Sequence, residues 1–240
     1  MLSLAITSST GMVGVALGRG DALVAHRHAA TDRRHAEELT PMLAAVLDEG
    51  GVTVGDLERI VVDVGPGRFT GLRVGVATAR TLAFATGVGV VPVTSLASLA
   101  ADAAVRSDAA DTDASGVLAV VDARRAEVFV QRFVGGAATA PARSLSPLEA
   151  AALAEPGDVI CGDGADRYAD DFAGASVLAD ATLLAGLEPS AATMLRLAGD
   201  DPGRPGPEVE PAYLRDPDVQ INIKTRHSPP KPRRPRRRSS

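Results

Sequence analysis

The apolar positions at the start of the chain come in short runs. Leu2–Thr7, Met12–Leu17 and Ala22–His28 are separated by Gly, Ser and Asp, a spacing that predicts an antiparallel meander of three strands. The period then lengthens. Leu39, Met42, Leu43, Val46 and Leu47 recur at helical intervals and place one apolar stripe on a helix. Pro41 intrudes, so this helix starts near it or kinks there, and Gly50 and Gly51 end it. Arg59–Val64 reads as a buried strand, Thr70–Ala85 as a long helix and Gly89–Val93 as another strand. Ser95 is the expected N-cap of a helix running to about Val105. The order βββαβαβα is not a simple doubly wound repeat.

The second half has weaker periodicity. Residues 107–116, SDAADTDASG, are small and polar and read as a linker. Gly116–Val121 and Glu127–Phe133 predict a strand pair, and Asp158–Cys161 a short strand. Ser146–Ala154, the stretch around Tyr168 and Ser190–Ala198 predict helices. The expected organisation is a first unit over 1–105 with helix 190–199 folding back on it, then a smaller unit over 116–189. A Pro/Gly-rich and basic tail over 200–240 is expected to be largely disordered after about 216.

Composition narrows this picture. The 240 residues suffice for one large or two small domains with real cores. Aromatics make up 3% of the chain and Trp is absent, so the core must be built from Val, Leu and Ala. Cys161 is the only cysteine, which rules out an intrachain disulfide and a thiolate-built four-ligand zinc site. MLSLAITSST has no basic leading segment, and no run approaches the roughly 18 apolar residues of a membrane span. A cytoplasmic location is therefore expected. The net charge of −5 hides an asymmetry. Residues 221–240 carry eight basic and no acidic side chains, against 17 basic and 30 acidic ones before them. The run KPRRPRRR at 231–238 suits salt-dependent attraction to phosphate backbones, with a solvated extension as the plainer alternative.

The candidate chemistry concentrates in GPGRFTGLRVG, residues 65–75. Strand, glycine turn and helix N-terminus in series suit an anion or a phosphate. Gly65, Gly67, Arg68 and Thr70 are the residues placed to touch it, and a turn that merely packs is the alternative. The Lys-Ser/Thr pair of a P-loop is missing. Behind the turn, Gly71, Gly75, Ala79 and Ala83 recur every four residues. Such a smooth ridge lets another helix approach closely, although packing on the protein's own sheet is the commoner use. Leu72, Val76 and Leu82 would then face the home core. The hydroxyls of Thr7, Ser8, Ser9 and Thr10 end the first strand, where a polar hairpin turn is the better reading. In DARRAEVF, residues 122–129, Arg124 suits a carboxylate or phosphate, with a charged hairpin turn as the even alternative. His26, His28, His35 and His227 show no HxxxH or HExxH spacing on a helix, so no metal site is expected. No nucleophile elbow or Cys–His pair is evident, and no catalytic residue is assigned.

Several of these stretches agree with one family. RRHAEELTP at 33–41, VDVGPGRFTGLRVGVATAR at 62–80, VPVTSLASLA at 91–100, VDARRAEVF at 121–129, GDG at 162–164 and PAYLR at 211–215 resemble the TsaB family, in family order. The resemblance implies an α/β fold of the ASKHA (actin-like/ribonuclease H-like) class, two subdomains with mixed sheets flanked by helices. It also implies a function. TsaB-like proteins are non-catalytic scaffolds that bind a TsaD-like catalytic subunit and a TsaE-like ATPase. They are required for transfer of a threonylcarbamoyl group to adenosine 37 of tRNAs reading codons that start with A.

The same resemblance implies a site. Docking would use His35, Leu39, Met42, Leu43 and Val46 on the first helix and Gly71, Leu72, Gly75, Ala79 and Ala83 on the second. Gly75→Leu is then expected to break docking while sparing the fold. A homodimer is expected when the partner is absent, tRNA would be reached through the complex with help from the basic tail, and no membrane is involved. No tightly bound cofactor is expected, with ATP entering at the level of the complex. Catalytic relatives carry an HxxxH metal pair where this chain has Ser95 and Leu99, and Leu cannot coordinate an ion. TsaB relatives usually have Asp-Thr-Ser-Thr where this chain has Thr7-Ser8-Ser9-Thr10, so a carboxylate suited to Mg-ATP is missing at Thr7. An independent ATPase or kinase of the same class is the alternative, and it would need Asp63 or Asp122 to hold a metal.

Overall fold

A computed structural model describes residues 1–31, 34–107, 116–174 and 180–214. The first sheet is assembled from β1 (Leu2–Thr7), β2 (Met12–Arg19), β3 (Ala22–Ala30), β4 (Arg59–Asp63) and β5 (Gly89–Val93). Its order is β3-β2-β1-β4-β5. The meander β1–β2–β3 is antiparallel, and β4 and β5 add in parallel through helical crossovers. These crossovers contain α1 (His35–Glu49), α2 (Phe69–Thr86) and, beyond β5, α3 (Ser95–Arg106).

The second sheet is built later in the chain. It contains β6 (Gly116–Arg124), β7 (Glu127–Val134), β8 (Ala137–Ala138), β9 (Arg143–Leu145), β10 (Val159–Cys161) and β11 (Thr182–Leu184). Its main order is β11-β10-β6-β7-β8, with β9 also pairing β7. The short helices α4 (Pro147–Ala151), α5 (Asp163–Arg167) and α6 (Ala169–Gly174) accompany it, and α7 (Ala191–Leu197) follows.

Side-chain alternation explains the layering. On β1, Leu4 and Ile6 face Leu39, Val46, Val76 and Ala79 of α1 and α2, while Ala5 faces Ala191 and Met194 of α7. On β6, Val117, Ala119 and Val121 face Leu96 and Leu99 of α3, while Leu118 and Val120 face α4, α5 and Phe172 of α6. Both central strands are thus covered on both faces, which is why they read as continuous apolar runs. Helices α3 and α7 touch each other between the two sheets. Few aromatics take part, and the largest fully buried side chains are mostly Leu and Ile.

Helix α1 runs over His35–Glu49 with Pro41 inside it, so the proline does not mark its start. Pro41 is on the exposed face, where water can serve the carbonyl left without a partner. Two local readings differ from the structure. The N-cap of α3 is Thr94, not Ser95. The Thr94 hydroxyl accepts from the Ala97 amide at 3.1 Å, whereas Ser95 is already helical and buried. Tyr168 lies between α5 and α6, at the C-cap of α5. The expected linker lies mostly, and the basic run over 221–240 wholly, outside the described residues.

Candidate functional site

The glycine turn joins β4 to α2 and is clamped onto the β1–β2 turn. Its Gly65–Pro66 peptide is cis, and Gly65 has φ 95°, a conformation open to glycine. The Gly65 amide donates to Asp63 Oδ1 at 2.8 Å, and the Arg68 amide to the Ser9 carbonyl at 2.6 Å. The Ser95 amide donates to the Gly65 carbonyl, and the Ser95 hydroxyl to the Pro66 carbonyl at 2.6 Å. A Cβ on Gly67 would stand 2.2 Å from the Ser9 carbonyl oxygen. Two amides of the expected phosphate turn are therefore bonded within the chain. Thr70, the fourth residue of that reading, is exposed on α2.

The small-residue ridge of α2 faces inward, which corrects the docking assignment. Gly71, Leu72, Gly75, Ala79 and Ala83 are buried, as are His35, Leu39 and Val46 of α1. A Cβ on Gly71 would stand 2.0 Å from the Ser8 carbonyl oxygen, and one on Gly75 2.4 Å from Ser8 Oγ. Ser8 Oγ in turn donates to the Gly71 carbonyl at 2.9 Å. The ridge is smooth because the β1–β2 turn lies against it. His35 Nε2 is 3.0 Å from the Thr10 carbonyl and braces the same turn. Met42 and Leu43 are half-buried and pack on the same core. Gly75→Leu would consequently damage the fold rather than spare it. What α2 turns outward is a different set. Arg73, Arg80 and Thr81 are exposed, and Phe84 is 92% exposed. Arg80, Thr81 and Phe84 line a shallow depression with Pro207.

A charged cluster gathers beside the turn. Thr7 Oγ1 donates to Asp63 Oδ2 at 2.8 Å, so the hydroxyl at the end of β1 is tied to the carboxylate at the end of β4. Burial lifts the Asp63 carboxyl above the usual carboxylate range, and hydrogen bonds from Ser9, Gly65 and Thr7 oppose that. From the second sheet, Asp163 Oδ1 accepts from the Asp122 amide at 2.9 Å. Asp122 Oδ1 accepts from the Arg124 amide at 2.8 Å, and its other oxygen is 3.4 Å from Arg124 Nε and 3.6 Å from Arg167 Nη1. Arg124, Arg125 and Ala126 all have positive φ, so the β6–β7 turn holds three non-glycine residues in a costly conformation. Burial also raises Asp163, with Arg68 and Arg124 among the charges that pull it back. Glu188, just before α7, is pushed up to about 7, first by burial, then with Thr10, Asp163, Arg68 and Asp166 acting on it.

Arg68 of the glycine turn and Arg124 of the β6–β7 turn both act on Asp163, so the two turns share one charged cluster. The structure adds Glu188 and Arg167, which the sequence reading missed, and gives Asp163 of the GDG stretch a role. An acid embedded in LAGLEPS was the available signal for Glu188. Of the carboxylates an independent ATPase would need, Asp63 is engaged by hydrogen bonds and Asp122 by a hydrogen bond and two ion pairs. Among the described residues, no cluster of three or more His, Cys, Asp or Glu could hold a metal ion.

Ser95 and Leu99 mark another departure. Ser95 is spent on the Pro66 carbonyl, and Leu99 is fully buried between α3 and the second sheet. No helix among the described residues is long and apolar enough to cross a membrane.

Comparison with known proteins places this geometry. The profile of the family described as "TsaD: tRNA N6-adenosine threonylcarbamoyltransferase" matches residues 27–169. The chain is 37% identical to an uncharacterized protein of Mycobacterium tuberculosis over 222 residues, covering 90% of this chain and 93% of that one. It is 33% identical over 130 residues to the "tRNA threonylcarbamoyladenosine biosynthesis protein TsaB" of Bacillus subtilis, a match spanning 54% of this chain and 53% of the relative. The solved structure of YeaZ from Pseudomonas aeruginosa superposes with a TM-score of 0.76 at 31% identity, covering 89% of this chain and 99% of that one.

Proposed function

The chain belongs to the TsaB family, and from that membership we propose that it serves tRNA threonylcarbamoyladenosine biosynthesis as a scaffold for a TsaD-like catalytic subunit. The observation that carries the non-catalytic part is the state of positions 95 and 99. Where the resemblance places the transferase's two metal ligands, one residue is a serine bonded to its own chain and the other a leucine sealed in the core. The glycine turn supports the same reading, because two of its amides and its nearest carboxylate are already satisfied internally.

Docking uses the outward faces of α1 and α2, with Phe84 as the anchor. An aromatic ring standing almost wholly in water on a helix is well placed to be an interface anchor, since covering it removes apolar surface from water. The same face pairs two copies of the chain when the partner is absent. A TsaE-like ATPase and ATP act at the level of the complex, in the cytoplasm. The tRNA is reached through the complex, with the basic tail adding phosphate contacts.

Reconstitution tests this reading. The chain alone should transfer no threonylcarbamoyl group to tRNA, and adding it to a TsaD-like subunit with its ATPase partner should restore transfer. Transfer by the isolated chain would overturn the scaffold assignment. Deleting residues 224–240 should weaken binding of the complex to tRNA and flatten its salt dependence.

A further inference from the structure

The two histidines of β3 stand apart from the charged cluster. Strand β3 is the edge of the first sheet, and among the described residues its partner strand is β2. Residues two apart on a strand project from the same face, so the His26 and His28 rings lie side by side. Ala25 and Arg27 take the opposite face. Ala25 enters the core beneath α1, and Arg27 pairs with Glu49 of α1. His26 is half-buried and His28 is exposed. Their rings stack with centroids 4.9 Å apart and planes inclined at 28°, and His28 Nδ1 lies 3.0 Å from His26 Nε2.

That separation is informative. Two nitrogens bound to one ion at about 2.0–2.1 Å stand about 2.9 Å apart at a right angle and about 3.4 Å apart at the tetrahedral angle. The observed 3.0 Å falls inside this interval. At present one ring donates its proton to the lone pair of the other. If the donor ring takes its other tautomer, both nitrogens turn lone pairs toward the space between them. The helical spacings that mark many metal sites do not cover this case, because the strand period of two does the same work.

We propose that His26 and His28 form a two-imidazole chelate for a borderline divalent transition-metal ion of the Ni2+, Cu2+ or Zn2+ class, with water completing the coordination. Neutral imidazole suits these ions and not Mg2+ or Ca2+. No third His, Cys, Asp or Glu closes the site among the described residues, so the ion is exchangeable and the affinity modest. The other described histidine, His35, is buried against the Thr10 carbonyl and takes no part.

The test is calorimetric titration of the tag-free full chain with NiCl2, repeated on His26→Ala, His28→Ala and the double variant. One site with a Kd on the order of tens of micromolar is expected. Each single variant should weaken it about tenfold or more by removing one arm of the chelate, and the double variant should abolish it. Superimposable melting curves should show that all variants fold. Paramagnetic Ni2+ should broaden amide resonances on residues 14–16 and 26–28, where the register sets β2 beside the pair. Retention of the Ni2+ site by the folded double variant, broadening elsewhere only, or no binding tighter than about 1 mM would each overturn the proposal.

Discussion

Helix α2 has two faces that the sequence describes almost equally well and the structure treats as opposites. Along one, Gly71, Gly75, Ala79 and Ala83 form a ridge with no side chain larger than a methyl, and the ridge is buried. Along the other, Arg73, Arg80, Thr81 and Phe84 meet solvent. The smooth face invites a partner helix, but its occupant is the β1–β2 turn of the same chain. The rough face carries the exposed aromatic. Small residues permit close approach without naming the visitor, whereas a large apolar side chain left in water gains free energy when a partner covers it. The inner face should therefore govern stability, and the outer face binding.

The strongest way to break this contrast is Gly71→Ala. Helix propensity alone favours the change by about 1 kcal/mol. The added Cβ, however, would stand 2.0 Å from a backbone carbonyl, and steric cost wins. A loss of about 4 kcal/mol or failure to fold is expected in denaturant melts, and a variant as stable as the parent would place the ridge elsewhere.

The second test uses pH and the carboxylates beyond the ridge. The Glu188 carboxyl, at about 7 against its ordinary 4.5, is raised in the folded state. Its contribution to stability is fully present below about pH 4.5 and is lost as pH rises through about 7. Stability should thus fall by up to about 3 kcal/mol between pH 5 and 8. Glu188→Gln should flatten much of that slope, while Asp63 and Asp163, shifted in the same direction, leave a remainder. Parallel pH profiles for parent and variant would remove Glu188 from the buried cluster.

Phe84→Glu probes the opposite face. Binding to the TsaD-like subunit should weaken by about 2 kcal/mol, roughly 30-fold, measured by calorimetry or pull-down. The melting temperature should not move, since the ring is 92% exposed. Loss of stability without loss of binding would reverse the contrast. Ser8→Ala is the smallest change. It removes the hydrogen bond from Ser8 Oγ to the Gly71 carbonyl and should cost about 1 kcal/mol of stability, with partner affinity unchanged.

Legibility in the sequence followed the range of the interactions. All seven strands expected from Leu2 to Phe133 are present with bounds close to those read from period and turn residues, because local alternation and Gly-rich turns set them. Pro41 was harder, since residue type alone does not say whether a proline opens a helix or sits inside one. Thr94 and Ser95 are equally good caps by type, and only the backbone angle at Thr94 separates them. The charged cluster was half legible. Arg68 and Arg124 stood out as guanidinium groups beside turns, but Glu188 and Asp163 acquire their meaning from Arg68 and Asp122, which are distant in sequence.

By itself the sequence determined the main elements up to Phe133, the family and the residues that share each face of α2, since a four-residue period and a set of motifs are local properties. Only the tertiary structure decided which face is filled and by what. The Ser8 carbonyl and hydroxyl reach the ridge because β1 pairs with β4 in parallel and carries its terminal turn over the start of α2. That contact joins residues some 63 positions apart in the chain, and no local pattern encodes it.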